Sequence, residues 1–281
     1  MQGKVCLVTG ATSGIGLVTA RELARQGAVT VVVGRNAQRC AAAAERIRQE
    51  TGNPSADFIA ADLSSQAQIR QLAKAFLSRY SRLDVLVNNA GGFFLRRMQS
   101  VDGIEMTWAL NHLSYFLLTN LLLETMRANP PGRIVNVSSG AHYGGRINFA
   151  DLQGKRGYFG WTAYSQSKLA NVLFTSELAR RLDGSRVTAN ALHPGFVATN
   201  FAKNNGWVVR LAMTLAHIGA LSPEDGARTS IYLACSPEVD GVSGKYFYKE
   251  QEIPSGPTSY DLDAARRLWE ISTQMTGLPA G

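Results

Sequence analysis

The chain has 281 residues, 45% of them hydrophobic and 18% charged, enough to bury a large core and too apolar to stay disordered. Its net charge of +8, carried by 22 arginines and seven lysines spread along the sequence, reads as a solvated basic surface and argues against a nucleic-acid binder, with steering of an anionic cofactor as the milder alternative. Cys6, Cys40 and Cys235 have no CxxC spacing and are too few for a disulfide framework, so a reducing, cytoplasmic setting is expected.

The opening MQGKVCLVTG starts a β pattern almost at once, Val5 to Val8, and leaves no room for a signal peptide. It runs into ATSGIG and a helical pattern near 15 to 26. Gly10 permits a tight turn, Gly14 keeps a side chain out of a pyrophosphate's path, and Gly16 allows close helix packing. A nucleotide is therefore expected against this loop, including Thr12, Ser13 and Ile15.

The second strand, Val29 to Val33, ends at Gly34 and Arg35. An NAD enzyme usually offers an acidic side chain to the ribose 2′-hydroxyl at this place. Glycine leaves room and arginine can pair with a 2′-phosphate, so NADP is the expected cofactor. Arg39, one turn on, could serve instead, and an ordinary surface arginine is the alternative. A helix near 37 to 50 and a strand from Asp57 to Ala60 lead to Asp62 and Leu63. Asp62 either bonds an adenine amino group or serves as an N-terminal carboxylate for the helix at 66 to 79.

The fourth strand, Val85 to Val87, ends in VNNAGG. The small residues and amide at Asn89, Ala90 and Gly91 would let backbone lie against a flat ring or ribose, unless they form a plain turn. A long helix near 100 to 128 carries Asn111, and the fifth strand, Arg133 to Val137, is followed by Ser138 and Ser139. Twenty-four residues, including the aromatic run GYFGW, then separate Ser139 from Tyr164. The helix near 163 to 182 carries TAYSQSKLAN, which stacks Tyr164 and Lys168 one turn apart on one face.

The sixth strand, Arg186 to Ala191, leads to His193, Pro194 and Gly195, with Val197 and Thr199 beyond. The most apolar segment, Trp207 to Leu221, is broken by Arg210 and His217 and reads as a buried or substrate-covering helix. No apolar run reaches the ~18 residues needed to span a membrane, which leaves peripheral contact. A helix from Pro223, a short strand at Lys245 to Tyr248 and a helix near Leu262 to Met275 complete the pattern. Leu262, Ala265, Leu268, Trp269 and Ile271 share one side of that last helix, which is expected to pack back onto the body. The histidines show no metal-ligand spacing, so no metal is expected.

Strands and helices that alternate with crossovers this long predict an α/β protein: a single-domain, Rossmann-type, doubly wound parallel sheet over residues 1 to 281. Segments near 140 to 162 and 200 to 222, together with Phe93 and Phe94, are expected to cover an apolar substrate.

TGATSGIG, NNAG, the serine after IVNVS, YSQSK and HPG occur in order across residues 4 to 200, and together they resemble the short-chain dehydrogenase/reductase superfamily. SKLANVLFTSELARRL, HPGFVATN and RLWEISTQMTGL extend the resemblance to its retinol dehydrogenase-like branch over nearly the whole chain. The resemblance implies that Tyr164 is the general acid or base and that Lys168 depresses its pKa and bonds the nicotinamide ribose. Ser139, or Ser138 in its place, would orient the substrate oxygen, and Asn111 would hold a proton-relaying water unless it only satisfies backbone. Val197 and Thr199 would touch the nicotinamide amide and the phosphates, and Pro194 and Gly195 would border the cofactor unless they only make a turn. The expected activity is NADP(H)-dependent interconversion of a hydrophobic aldehyde or ketone and its alcohol. The alternatives are a steroid or polycyclic ketone reductase and a non-catalytic NADP-binding redox sensor. A homo-oligomer is expected by resemblance.

Overall fold

The computed structural model describes residues 1–197 and 221–279. Its centre is an eight-stranded sheet in the order β3-β2-β1-β4-β5-β6-β7-β8. Five apolar runs make its buried middle: β1 (Val5–Thr9), β2 (Val29–Gly34), β4 (Val85–Asn88), β5 (Gly132–Val137) and β6 (Val187–Leu192). They are buried along nearly their whole length rather than on alternate residues because helices cover both faces. β3 (Ala56–Ala60) and β7 (Tyr246–Tyr248) flank them in parallel, and β8 (Gln251–Glu252) adds an antiparallel edge.

On one face, α1 (Gly14–Arg25), α2 (Ala37–Thr51) and α7 (Pro223–Cys235) enclose a core with Val8, Val32, Val87, Val135 and Leu233. On the other, α3 (Gln66–Arg79), α5 (Ser114–Ala128) and α6 (Gly160–Arg181) enclose Leu7, Val31, Phe76, Phe116 and Phe174. The sheet order reverses between β1 and β4, so the crevice beyond their carboxyl ends is where such a sheet receives a ligand.

The long helix expected at 100 to 128 starts later, at Met106, and carries a π-turn within it. It begins as a short turn, α4 (Met106–Trp108), passes through a π-turn at Ala109–Leu113, and continues as α5. β8 was not legible, because two exposed polar residues carry no strand period and the turn before it is made by Lys249 and Glu250, both with positive φ, rather than by glycine.

The final helix, α8 (Leu262–Thr276), does pack back onto the body. Trp269 lies 4.9 Å from the Phe116 ring and 5.8 Å from Phe174, with the Arg181 guanidinium 4.3 Å over its own ring. α8 thus covers Phe116 of α5 and Phe174 of α6. Leu262, expected on the packed side, opens the helix and stays 52% exposed.

Candidate active site

The crevice begins at the β1–α1 loop. Gly10 has φ +65, and a Cβ there would lie 2.8 Å from the Ala90 Cα. A Cβ on Gly16 would lie 2.5 Å from the Asn89 Nδ2 and 2.6 Å from the Gly10 carbonyl oxygen. Glycine is therefore required by contact as well as by conformation. Thr9 closes the same corner: its hydroxyl oxygen accepts from the backbone amides of Asn89 at 2.8 Å and Ala90 at 3.0 Å, while the Asn89 amide donates to the Thr9 carbonyl at 2.8 Å. Thr9 was missed from sequence, where it reads only as the end of a strand.

This loop fits a nucleotide phosphate. The amides opening α2 and α3 are capped by the Asn36 and Ser65 side chains, whereas Ser13 makes no side-chain cap on α1. Among the described residues the first amides of α1 are thus left without a side-chain acceptor at a glycine-lined helix N-terminus. Thr12 packs against Gly34, where a Cβ would meet its methyl at 2.6 Å. Arg35 is exposed beside it and makes no ion pair among the described residues. Arg39 is also exposed, and its backbone amide donates to Asn36 Oδ1.

Asp62 serves its own turn. Its Oδ1 accepts from the Ser64 amide at 2.9 Å and hydroxyl at 2.8 Å, which favours the local carboxylate reading. The Leu63 side chain belongs to the core, so only its backbone can face a ligand. At the far side of the crevice, Val197 Cγ2 would be 2.6 Å from a Cβ on Gly226, with Ile15 Cγ1 at 3.2 Å from the same point. The segment after β6 is therefore beside the glycine loop. Gly195, with φ +82, donates its amide to His193 Nδ1, and Pro194 lies between them, half-buried. Thr199 lies outside the described residues, as does most of the segment expected at 200 to 222.

Tyr164 and Lys168 project from α6 toward the end of β5. Lys168 is buried, and its Nζ donates to the Val137 carbonyl at 3.0 Å. Gly91 is exposed above it, and a Cβ there would be 3.6 Å from Nζ. Tyr164 is likewise buried, within hydrogen-bonding reach of the Ser139 side chain. Of the two serines, Ser138 donates to the Lys168 carbonyl at 2.7 Å and so fastens sheet to helix. Ser139 is the one that faces Tyr164.

The expected depression of the Tyr164 pKa by Lys168 is not found in the chain alone. Burial pushes Tyr164 up to about 12, with the Ser139 bond acting the other way, and pushes Lys168 down to about 7. Both ionised forms lose hydration on burial, and that loss sets the direction of each shift. His193 is pushed down to about 4, also by burial, and stacks 4.0 Å from the Tyr248 ring, so it is a neutral structural histidine.

Asn111 sits on the π-turn. Its Oδ1 accepts from the Gly92 amide at 2.8 Å, and its Nδ2 donates to the Gly92 carbonyl and Ser167 Oγ, both at 3.0 Å. The side chain thus pins the β4 loop to the helices, which is the backbone-satisfying alternative. Apolar walls converge on the phenol: Phe93 meets the Tyr164 ring edge-on at 5.8 Å and Trp161 lies 6.1 Å away. The segment from 145 to 160 is stapled to the β4 loop by Tyr158, which donates to the Phe94 carbonyl at 2.9 Å, and by Arg97, which donates to the Gln153 carbonyl at 2.9 Å. Among the described residues no group of His, Cys, Asp or Glu is arranged to hold a metal, and no helix is long and apolar enough to cross a membrane.

The arrangement can place a carbonyl or alcohol oxygen between a serine hydroxyl and a phenol, next to a nucleotide-binding loop. A family model for the short chain dehydrogenase matches residues 4–207. Retinol dehydrogenase 14 of Mus musculus is 45% identical over 294 residues, spanning 99% of this chain and 87% of that protein. Polyprenol dehydrogenase of Homo sapiens is 43% identical over 284 residues, spanning 98% and 86%. Among solved structures, an uncharacterized protein from Mycobacterium Paratuberculosis superposes with a TM-score of 0.81 at 36% identity, covering 99% of this chain and 96% of that one. The chain belongs to the short chain dehydrogenase family of nicotinamide-dependent oxidoreductases, in its retinol dehydrogenase-like branch.

Proposed function

We propose that the protein uses NADP(H) to interconvert a hydrophobic aldehyde or ketone and its alcohol. The observation that carries the chemistry is the convergence of Ser139, Tyr164 and Lys168 at the carboxyl end of β5, with Phe93 and Trp161 beside the phenol. Preference for NADP(H) is supported by Gly34 and by Arg35 at the end of β2, exposed and without an ion pair among the described residues, where a guanidinium can take a 2′-phosphate in two parallel hydrogen bonds. An apolar substrate is supported by Phe93 and Trp161 beside the phenol, the latter more than half exposed. It is supported also by the isoprenoid alcohols named for two relatives.

When bound, the nicotinamide supplies or accepts the hydride. The chain supplies position and the proton. In reduction, the Ser139 hydroxyl donates to the substrate carbonyl oxygen, and the Tyr164 phenol transfers its proton to that oxygen as the carbonyl carbon gains hydride. In oxidation the same atoms run in reverse, with phenolate taking the alcohol proton. A Tyr164 pKa of about 12 keeps the proton on the phenol at neutral pH, which suits the reductive direction. Lys168 Nζ, held against the Val137 carbonyl and 5.7 Å from the centre of the phenol ring, is placed to favour phenolate when it is protonated. The Gly91 surface above it can receive a ribose.

The test is a panel of aldehydes and ketones, retinal included, followed by NADPH absorbance with NADH in parallel. Oxidation of NADPH by apolar carbonyls is expected. Turnover confined to polar carbonyls, or equal use of NADH, would count against the reading.

A further inference from the structure

His142 is a fully buried histidine three residues after Ser139, and no step above uses it. It belongs to a single 3₁₀ turn, Gly140–Gly144, and its ring lies between Tyr143 and Tyr246, with centroids at 4.1 and 4.6 Å. Both ring nitrogens are engaged. Nε2 is 2.9 Å from the backbone amide of Gly256, and Nδ1 is 2.7 Å from the backbone carbonyl of Ser139. An amide can only donate and a carbonyl can only accept, so Nε2 carries the lone pair and Nδ1 carries the hydrogen. The Tyr246 hydroxyl lies 3.2 Å from the same Nδ1. Burial holds the ring's pKa below the usual histidine range, which keeps this neutral tautomer.

The consequence falls on Ser139. Its carbonyl receives two hydrogen bonds from His142, one from the ring and one from the backbone amide at 3.1 Å. Its own Oγ accepts from the Ala141 amide at 3.2 Å. With the carbonyl held and one hydroxyl lone pair occupied, the O–H is left to point toward the Tyr164 side. The other end of the ring holds the C-terminal segment. A Cβ on Gly256 would lie 3.2 Å from the Tyr143 Cα and 3.4 Å from the His142 ring, so glycine admits the approach. Tyr143 adds a bond from its hydroxyl to the Pro254 carbonyl at 2.7 Å.

We propose that His142 is a positioning residue: through one imidazole it fixes the backbone of Ser139 and anchors it to the segment around Gly256, so that the serine hydroxyl meets the substrate oxygen. This rests on the reading of Ser139 given above. The two ring nitrogens can be separated by substitution. His142→Asn puts an amide nitrogen where Nδ1 lies and keeps the bond to Ser139, while losing the acceptor for Gly256. His142→Gln keeps an oxygen near Nε2 for Gly256 and loses the donor to Ser139.

Each full-length variant is assayed with NADPH and the panel aldehyde that the wild type reduces fastest, alongside NADPH affinity by fluorescence and thermal unfolding. The expected pattern is crossed. His142→Gln loses about tenfold or more in kcat with unchanged NADPH affinity, whereas His142→Asn keeps kcat within about twofold but melts at lower temperature. Equal losses of kcat in the two variants, or none in either while Ser139→Ala is slow, would overturn the inference alone. Full turnover in Ser139→Ala would overturn the reading of Ser139 together with it. Should a variant fail to fold, an NMR spectrum of nitrogen-labelled histidines in the wild type decides: the Nδ1–H form is expected, and hydrogen on Nε2 would overturn the assignment.

Discussion

Lys168 Nζ lies 5.7 Å from the centre of the Tyr164 ring while donating to the Val137 carbonyl at 3.0 Å. A main-chain oxygen at the end of β5 thus takes the place of a carboxylate partner. A carboxylate there would neutralise the ammonium, whereas a carbonyl orients it and leaves its charge available to the phenol.

This burial has a consequence for stability. Lys168 is pushed down to about 7 in the folded chain from an ordinary value of 10.5. Between those values the unfolded chain binds more protons than the folded one, so stability rises with pH across that window. Thermal unfolding without added cofactor should show the wild type gaining several degrees relative to Lys168→Met between pH 7 and pH 10. A difference between the two proteins that stays flat with pH would show that Lys168 is not desolvated as described.

Arg35→Asp replaces an exposed guanidinium at the end of β2 with a carboxylate. A charge-assisted pair to a 2′-phosphate is worth about 1.5–3 kcal/mol, so NADPH affinity should fall roughly 10- to 100-fold by fluorescence titration. NADH affinity should hold or improve. Equal weakening of both cofactors would mean that Arg35 reads no phosphate.

The fold was legible because continuous apolar strands, glycine turns and long amphipathic crossovers are local signals. The π-turn at Ala109–Leu113 was not. WALNHL reads as ordinary helix, and the π-turn coincides with long-range bonds from Asn111 to Gly92 and Ser167. The adjacent serines were ranked only by resemblance, which favoured Ser139 and left Ser138 as the alternative. Ser138 and Ser139 differ only in which way the chain end turns them, and the bond from Ser138 to the Lys168 carbonyl decides it. His142 carried no sequence signal at all, since its partners are a backbone carbonyl three residues back and a glycine amide near the far end of the chain.

Trp161 is 54% exposed at the entrance and 6.1 Å from the Tyr164 ring. If it forms a wall for an extended apolar substrate, Trp161→Ala should raise KM for long-chain aldehydes by about tenfold, the worth of roughly 60 Å² of apolar contact. KM for a short aldehyde and kcat for both should change little. A uniform rise across chain lengths would contradict a role in substrate length.

The most direct measurement is the kcat of Tyr164→Phe, with NADPH and the fastest apolar carbonyl of the panel. The ring and its contacts with Phe93 and Trp161 are kept while the proton is lost. Turnover should fall by about 10²- to 10⁴-fold, the usual worth of a positioned general acid, with NADPH affinity and melting temperature near the wild-type values. Turnover at the wild-type rate would contradict the assignment of Tyr164 as the proton donor, and with it the chemistry proposed for this site.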